Sequence, residues 1–146
     1  MKNLLVLFTL VLFFASCENV EDNSPAFQAK VDNVFFESDL ISASRFPGQK
    51  VEMIGVKDDE KITLSFTYTA ENLIPLGGGS GNFATFEDKF GNIYSTNEDA
   101  IGEILLTFRT GGNQVLSGNF NFTAVLKGID TLRINNGVFY KVRNLD

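Results

Sequence analysis

From Phe27 to the C-terminus, apolar and polar residues alternate with a period of two, and turn-forming residues interrupt the pattern every eight to twelve positions. A period of two belongs to a strand with one buried face, because successive side chains point to opposite sides of a sheet. No stretch carries a convincing helical period, so the chain reads as all-β. Ala29 and Val31 share a face with Val34 and Phe36 if Asp32-Asn33 forms a two-residue turn, since both turn residues tolerate positive φ. Val51 and Met53 come opposite Phe66 and Leu64 if Lys57-Asp58-Asp59-Glu60 reverses the chain. In Ile62-Leu64-Phe66-Tyr68 the intervening Thr63, Ser65, Thr67 and Thr69 face the other way, which predicts a half-buried strand.

Phe83 to Glu87 and Ile93 to Thr96 flank a turn at Asp88 to Asn92. Ile104, Leu106 and Phe108 are expected to face Phe120, Gly118 and Leu116 across a loop Gly111-Gly112-Asn113, with Phe122 and Ala124 continuing the stripe. The last segment predicts a hairpin around Asn135-Asn136-Gly137, pairing Ile134 with Val138 and Leu132 with Tyr140, with Gly137 in the left-handed position. About nine or ten strands in sequential hairpins predict an antiparallel β-sandwich. A closed up-and-down, lipocalin-like barrel is the alternative, because alternation does not say whether a sheet splits or closes.

The first residues follow another rule. Lys2 precedes a largely apolar run from Leu4 to Phe14, and the small pair Ala15-Ser16 then leads to the single cysteine, Cys17. Eleven helical residues span roughly 16 Å, about half of a membrane crossing, so the segment reads as an export signal. Residues 1–16 are therefore assigned to a signal peptide, 17–25 to an acidic flexible tether, and 26–146 to one all-β domain. Glu18 to Ser24 hold one apolar side chain, three carboxylates and no base, too little apolar area to repay ordering.

Phe14-Ala15-Ser16-Cys17 resembles the bacterial lipobox, although Phe14 stands where that motif usually has Leu, Val or Ile. The resemblance implies cleavage before Cys17, which would carry diacylglycerol and an amide-linked acyl chain such as palmitate and would hold the domain at a membrane. Glu18, Glu21 and Asp22 loosely resemble the acidic signal that sends Bacteroidota lipoproteins to the outer face of the outer membrane; as plain linker they would leave the domain facing the periplasm. Phe27 to Phe36 (FQAKVDNVFF), Ser117 to Phe122 (SGNFNF) and Ile134 to Phe139 (INNGVF) are similar to the F-x-A-x-V-D-G-x-x-F, G-x-F-x-F and T-N-G-x-F motifs of a domain family in small Bacteroidota lipoproteins. Asn33 replaces the usual Gly, and Asn135 a frequent Thr. These are turn and core residues, so the resemblance implies fold and location and no activity.

Composition narrows the chemistry. The chain has no His and no Trp, and its one Cys is the residue the lipobox resemblance implies to be lipidated, which excludes Ser-His-Asp and Cys-His nucleophiles and nitrogen- or sulfur-ligated zinc. The formal charge of −6, one unit more negative without Lys2, opposes phosphate backbones, so nucleic acid is excluded as a partner. The glycine-rich Leu76-Gly-Gly-Gly-Ser-Gly-Asn82 lacks the Gly-Lys-Ser/Thr ending of a phosphate loop, and Asp58-Asp59-Glu60 and Glu87-Asp88 lack the spaced oxygens of a calcium loop. No cofactor, metal or catalytic residue is assigned.

Ala70 to Asn82 is the longest stretch without strand pattern, so Leu73, Ile74, Leu76, Gly77, Gly78 and Gly79 are the candidate partner-binding loop. Thr131, in Asp130-Thr131-Leu132, resembles an O-glycosylation acceptor of this bacterial group. The function expected is a non-catalytic envelope module for a glycan or protein partner. A carrier of a small apolar ligand inside a barrel and a carboxylate-dependent hydrolase are the alternatives. Intact mass of the membrane-extracted protein checks the anchor: the expected chain starts at Cys17 with the added mass of a diacylglyceryl group and one amide-linked acyl chain, and retention of Met1 or an unmodified Cys17 refutes it.

Overall fold

A computed structural model describes residues 24–97, 99–109, 115–127 and 129–143. The signal segment, Cys17, the acidic residues Glu18, Glu21 and Asp22, and the expected loop Gly111-Gly112-Asn113 lie outside the described residues. Eleven strands run in chain order: β1 Ala26–Val31, β2 Val34–Glu37, β3 Leu40–Phe46, β4 Lys50–Lys57, β5 Glu60–Thr67, β6 Leu73–Leu76, β7 Phe83–Glu87, β8 Ile93–Ser95, β9 Gly102–Arg109, β10 Val115–Leu126 and β11 Asp130–Arg143. Every pairing is antiparallel, and the main path is β2-β1-β11-β10-β8-β7-β5-β4-β3. The long β10 shares one edge between two partners, β9 along Leu116 to Phe122 and β8 at Val125, and β6 extends the β9 branch.

This sheet curls into a half-barrel. It has the facing layers of the expected sandwich and the continuous ladder of the barrel alternative. β2 runs into β3 through Ser38 and Asp39, which tie the two ends together: Ser38 N–H donates to Phe27 O at 3.0 Å and Asp39 N–H to Val56 O at 2.7 Å. Lys57 Nζ adds a bond to Phe35 O at 3.0 Å.

The expected hairpins at Asp32-Asn33 and Asp58-Asp59 form, and both residues of the first turn take positive φ (45° and 71°). Val51 faces Phe66 and Met53 faces Leu64, as the alternation predicts. Thr63 and Ser65, expected on a solvated face, are buried; Ser65 lies in register between Glu52 and Phe83, whose longer side chains outreach its single hydroxymethyl.

The expected hairpin at Asn135-Asn136-Gly137 does not form. Those residues lie inside the continuous β11, which β1 and β10 flank on both sides. The chain reverses earlier, where Leu126 faces Asp130. Asn136, not Gly137, takes positive φ (51°), and the register slips by one residue against both neighbours, so the site is a β-bulge. A second slip occurs opposite Ser117, whose Oγ accepts the Lys141 N–H at 2.9 Å, with Lys141 at φ 47°.

Glycine is required in β11 by close packing. An ideal Cβ on Gly137 would stand 2.5 Å from Cδ2 of Phe120, its cross-strand partner. Phe139 lies as closely over Gly118 (Cζ at 2.6 Å), and Phe27 over Gly55 (Cδ1 at 2.5 Å). The rings then meet each other, with Phe120 5.1 Å from Phe27 and 6.4 Å from Phe139 between centroids. Gly137→Ala overpacks this contact at a cost of about 1–3 kcal/mol, which lowers the melting temperature by roughly 5–10 °C. Adding Phe120→Leu should return part of that loss, and strictly additive effects would show that the ring is not the obstacle.

The β7–β8 turn is closed by Asp88. Its Oδ1 accepts the N–H groups of Phe90 and Asn92 at 2.9 Å each, and its Oδ2 accepts Asn92 Nδ2 at 2.8 Å. The Asn92 side chain foremost, with these backbone bonds, holds the carboxyl below its ordinary value of 3.8. A carboxyl depressed on folding stabilises above its unfolded pKa and loses that contribution as pH falls through the folded one. Asp88→Ala should therefore melt lower than the parent chain at pH 7, and the two curves should converge as the pH drops below 3.8; a constant gap in pH-series melting would refute the role of the ionised group.

Candidate functional site

The expected partner-binding loop is built differently. Leu73 to Leu76 form strand β6 on β9, with Ile74 and Leu76 in the core and only Leu73 of the three apolar residues exposed. Pro75 concealed this strand in the sequence, and the position is an edge, where a missing ladder donor is tolerated. The glycines that follow are tied down: Gly77 N–H donates to Asn82 O and Gly78 N–H to Asn97 O, while Ser80 Oγ and Asn82 Nδ2 both donate to Pro75 O. Gly77 has φ 70°, and a Cβ there would collide with the carbonyl oxygens of Ala100 and Asn97. The segment joins the two branches of the forked sheet. Gly78, Gly79, Ser80 and Gly81 are exposed.

A different surface gathers polar groups. On the outer side of β10 the residues that alternate with the core phenylalanines Phe120 and Phe122 are Asn119 and Asn121, and on β11 the bulge presents Asn135 and Asn136. Together with Asn33 of the β1–β2 turn and Lys30 they surround an open depression of about 650 Å³. Phe120, Gly137 and Val138 complete its lining. The bulge creates the hollow, because an extra residue bends β11 and turns two successive amides outward. Asn33 and Asn135 are shared with an adjoining depression of about 330 Å³, lined also by Asp32, Thr123, Thr131 and Arg133.

Cross-strand register gives the site its order. One row runs Leu73, Leu105, Asn119, Val138, Gln28. The next runs Glu103, Asn121, the bulge, Lys30, Phe35. Leu105 (43 % exposed), Val138 (40 %) and Phe35 (52 %) place apolar surface at the margins of an amide-lined centre. Asn121 Nδ2 donates to Glu103 Oε1 at 3.2 Å, and Asp32 Oδ1 accepts the Arg133 backbone N–H at 2.8 Å, which fastens the turn to β11. Each amide offers two donors and an acceptor in fixed directions and moves no proton at neutral pH, so the arrangement suits recognition of hydroxyl-rich groups.

Thr131 is exposed on β11, opposite Val125, within the second depression. The sequence pattern marks Asn33, Asn135 and Asn136 as turn residues, whereas Asn119 and Asn121 carry no signal in it, because solvent-facing positions of a strand accept most polar residues. Their signal was compositional: Asn is depleted in strands, yet Asn119, Asn121, Asn135 and Asn136 all occupy strand positions. Among the described residues no three His, Cys, Asp or Glu side chains are grouped so as to hold a metal ion.

No curated protein and no solved structure matches the chain. A family model described as a domain of unknown function, DUF6252, matches residues 23–143, so the chain belongs to the DUF6252 family.

Proposed function

We propose that the protein is a lipid-anchored, non-catalytic binding module of the bacterial cell envelope. In this reading Cys17 carries the lipid, Glu18, Glu21 and Asp22 direct the domain to the outer face of the outer membrane, and the asparagine-lined depression meets a glycan. The observation that carries it is the convergence of five asparagine side chains, Asn33, Asn119, Asn121, Asn135 and Asn136, on one open hollow in a rigid sheet. Sugar hydroxyls demand donors and acceptors in alternation, which amides supply, and a preformed sheet adds little ordering cost on binding. The carrier reading gains no support from an interior filled by Phe27, Phe66, Phe120 and Phe139.

The test is affinity electrophoresis of the detergent-solubilised chain through gels containing pectin, alginate, xylan or dextran. At least one polysaccharide should retard the protein. Removing two amides with Asn121→Ala and Asn135→Ala should weaken that retardation about tenfold, at about 0.5–1.5 kcal/mol per hydrogen bond, while leaving the melting temperature within a degree or two. No retardation in any gel, or retardation that survives the double substitution, refutes the reading.

A further inference from the structure

The two adjoining depressions carry a charge pattern opposite to that of the whole molecule. The chain has 18 acidic and 12 basic residues, so a basic side chain on its surface meets a surplus of possible partners. Lys30 and Arg133 nonetheless form no ion pair among the described residues, where the salt bridge observed joins Lys61 to Glu87 elsewhere on the sheet. Both line the trough, Lys30 the larger depression and Arg133 the smaller. The carboxylates nearby are engaged: Asp32 holds the Arg133 backbone N–H, and Glu103 accepts from Asn121.

Register places the two cations relative to each other. Lys30 stands opposite Asn135, and Arg133 lies two residues before Asn135 on the same strand and the same face. Strand rise and strand spacing then separate their Cα atoms by roughly 8 Å, the scale of one to two sugar units. Phe35 is the direct cross-strand partner of Lys30, half-exposed on the same face, and offers a ring for the C–H side of a sugar in a protein without Trp.

Resting on the glycan reading, we infer that the trough binds oligosaccharides bearing carboxylates, with Arg133 and Lys30 meeting the carboxylates, the asparagines between them the hydroxyls, and Phe35 the ring face. A neutral sugar would leave two cations without a partner.

The experiment is a titration of the full detergent-solubilised chain, ¹⁵N-labelled, with trigalacturonate and with the neutral trisaccharide obtained by reducing its carboxyl groups. Trigalacturonate should shift the side-chain amide signals of Asn33, Asn121 and Asn135, and bind at least tenfold more tightly than the neutral sugar, an advantage that declines with added salt. Lys30→Gln with Arg133→Gln should abolish the advantage, and Lys30→Arg with Arg133→Lys should keep most of it. Equal affinity for the two sugars, or an advantage that survives the glutamine pair, overturns the carboxylate inference and leaves the glycan reading standing. If neither sugar moves the amide signals, the inference falls, and the polysaccharide gels decide the glycan reading separately.

Discussion

The fold depends on aromatic rings packed against strand glycines, two of them on a paired neighbouring strand and one on a strand that is not a sheet neighbour. A sheet that curls this tightly brings its inner side chains together near the axis of curvature, and bulky residues at every inward position would not fit. Gly55, Gly118 and Gly137 each leave out a Cβ so that Phe27, Phe139 and Phe120 can occupy the space. These rings then contact one another across the consecutive strands β1, β11 and β10, and Phe27 also reaches Gly55 of β4, which is not paired with β1. A glycine inside a strand is ordinarily destabilising, by about 0.5–1 kcal/mol against Ala, and the covering ring offsets that by burying its own surface and shielding the exposed backbone. No crosslink is needed in the domain, whose residues 26–146 contain no cysteine.

The same requirement shapes the outer surface. β11 is the strand on which two of these contacts meet, with Gly137 receiving one ring and Phe139 supplying another. To set Ile134 inward together with Gly137 and Phe139 while remaining paired on each side, it must change phase between Ile134 and Gly137, and the bulge at Asn135-Asn136 makes that change. The extra residue has nowhere to go but outward. The hollow of the candidate site is thus the outer consequence of an inner packing problem, and its asparagines include Asn136, a residue type that tolerates the left-handed conformation the bulge imposes.

Legibility from sequence follows the same division. Hairpins closed by Asp32-Asn33 and Asp58-Asp59 were readable, because short polar turn residues between two alternating runs leave one register that keeps the apolar face together. The phase change after Ile134 was visible but ambiguous, since a three-residue loop and a bulge shift the alternation identically. Only the partners of β11 on both sides exclude the loop. β6 was hidden by Pro75 and the glycines after it, and the burial of Ser65 reflects the length of its neighbours, which no single-strand pattern records. Among candidate site residues, Ile74 and Leu76 proved to be core, whereas the amides of Asn119 and Asn121 passed as ordinary solvent-facing residues because alternation reports which side is wet and not what the wet side does.

That separation bears on how such a surface can change. On β10, Phe120 and Phe122 answer to the core while Asn119 and Asn121 answer only to what lies outside, and the two sets alternate residue by residue. A substitution at an outward position alters the surface without touching the ring packing, so one interior can carry many surfaces. The bulge is the exception, because Asn135 and Asn136 sit where inner geometry and outer chemistry meet. Asn136 holds a positive φ that most side chains resist, which couples the amide at the centre of the hollow to the turn of the strand that produces it. Change in the outer surface is therefore least constrained at Asn119, Asn121, Lys30 and Phe35, and most constrained at the bulge itself.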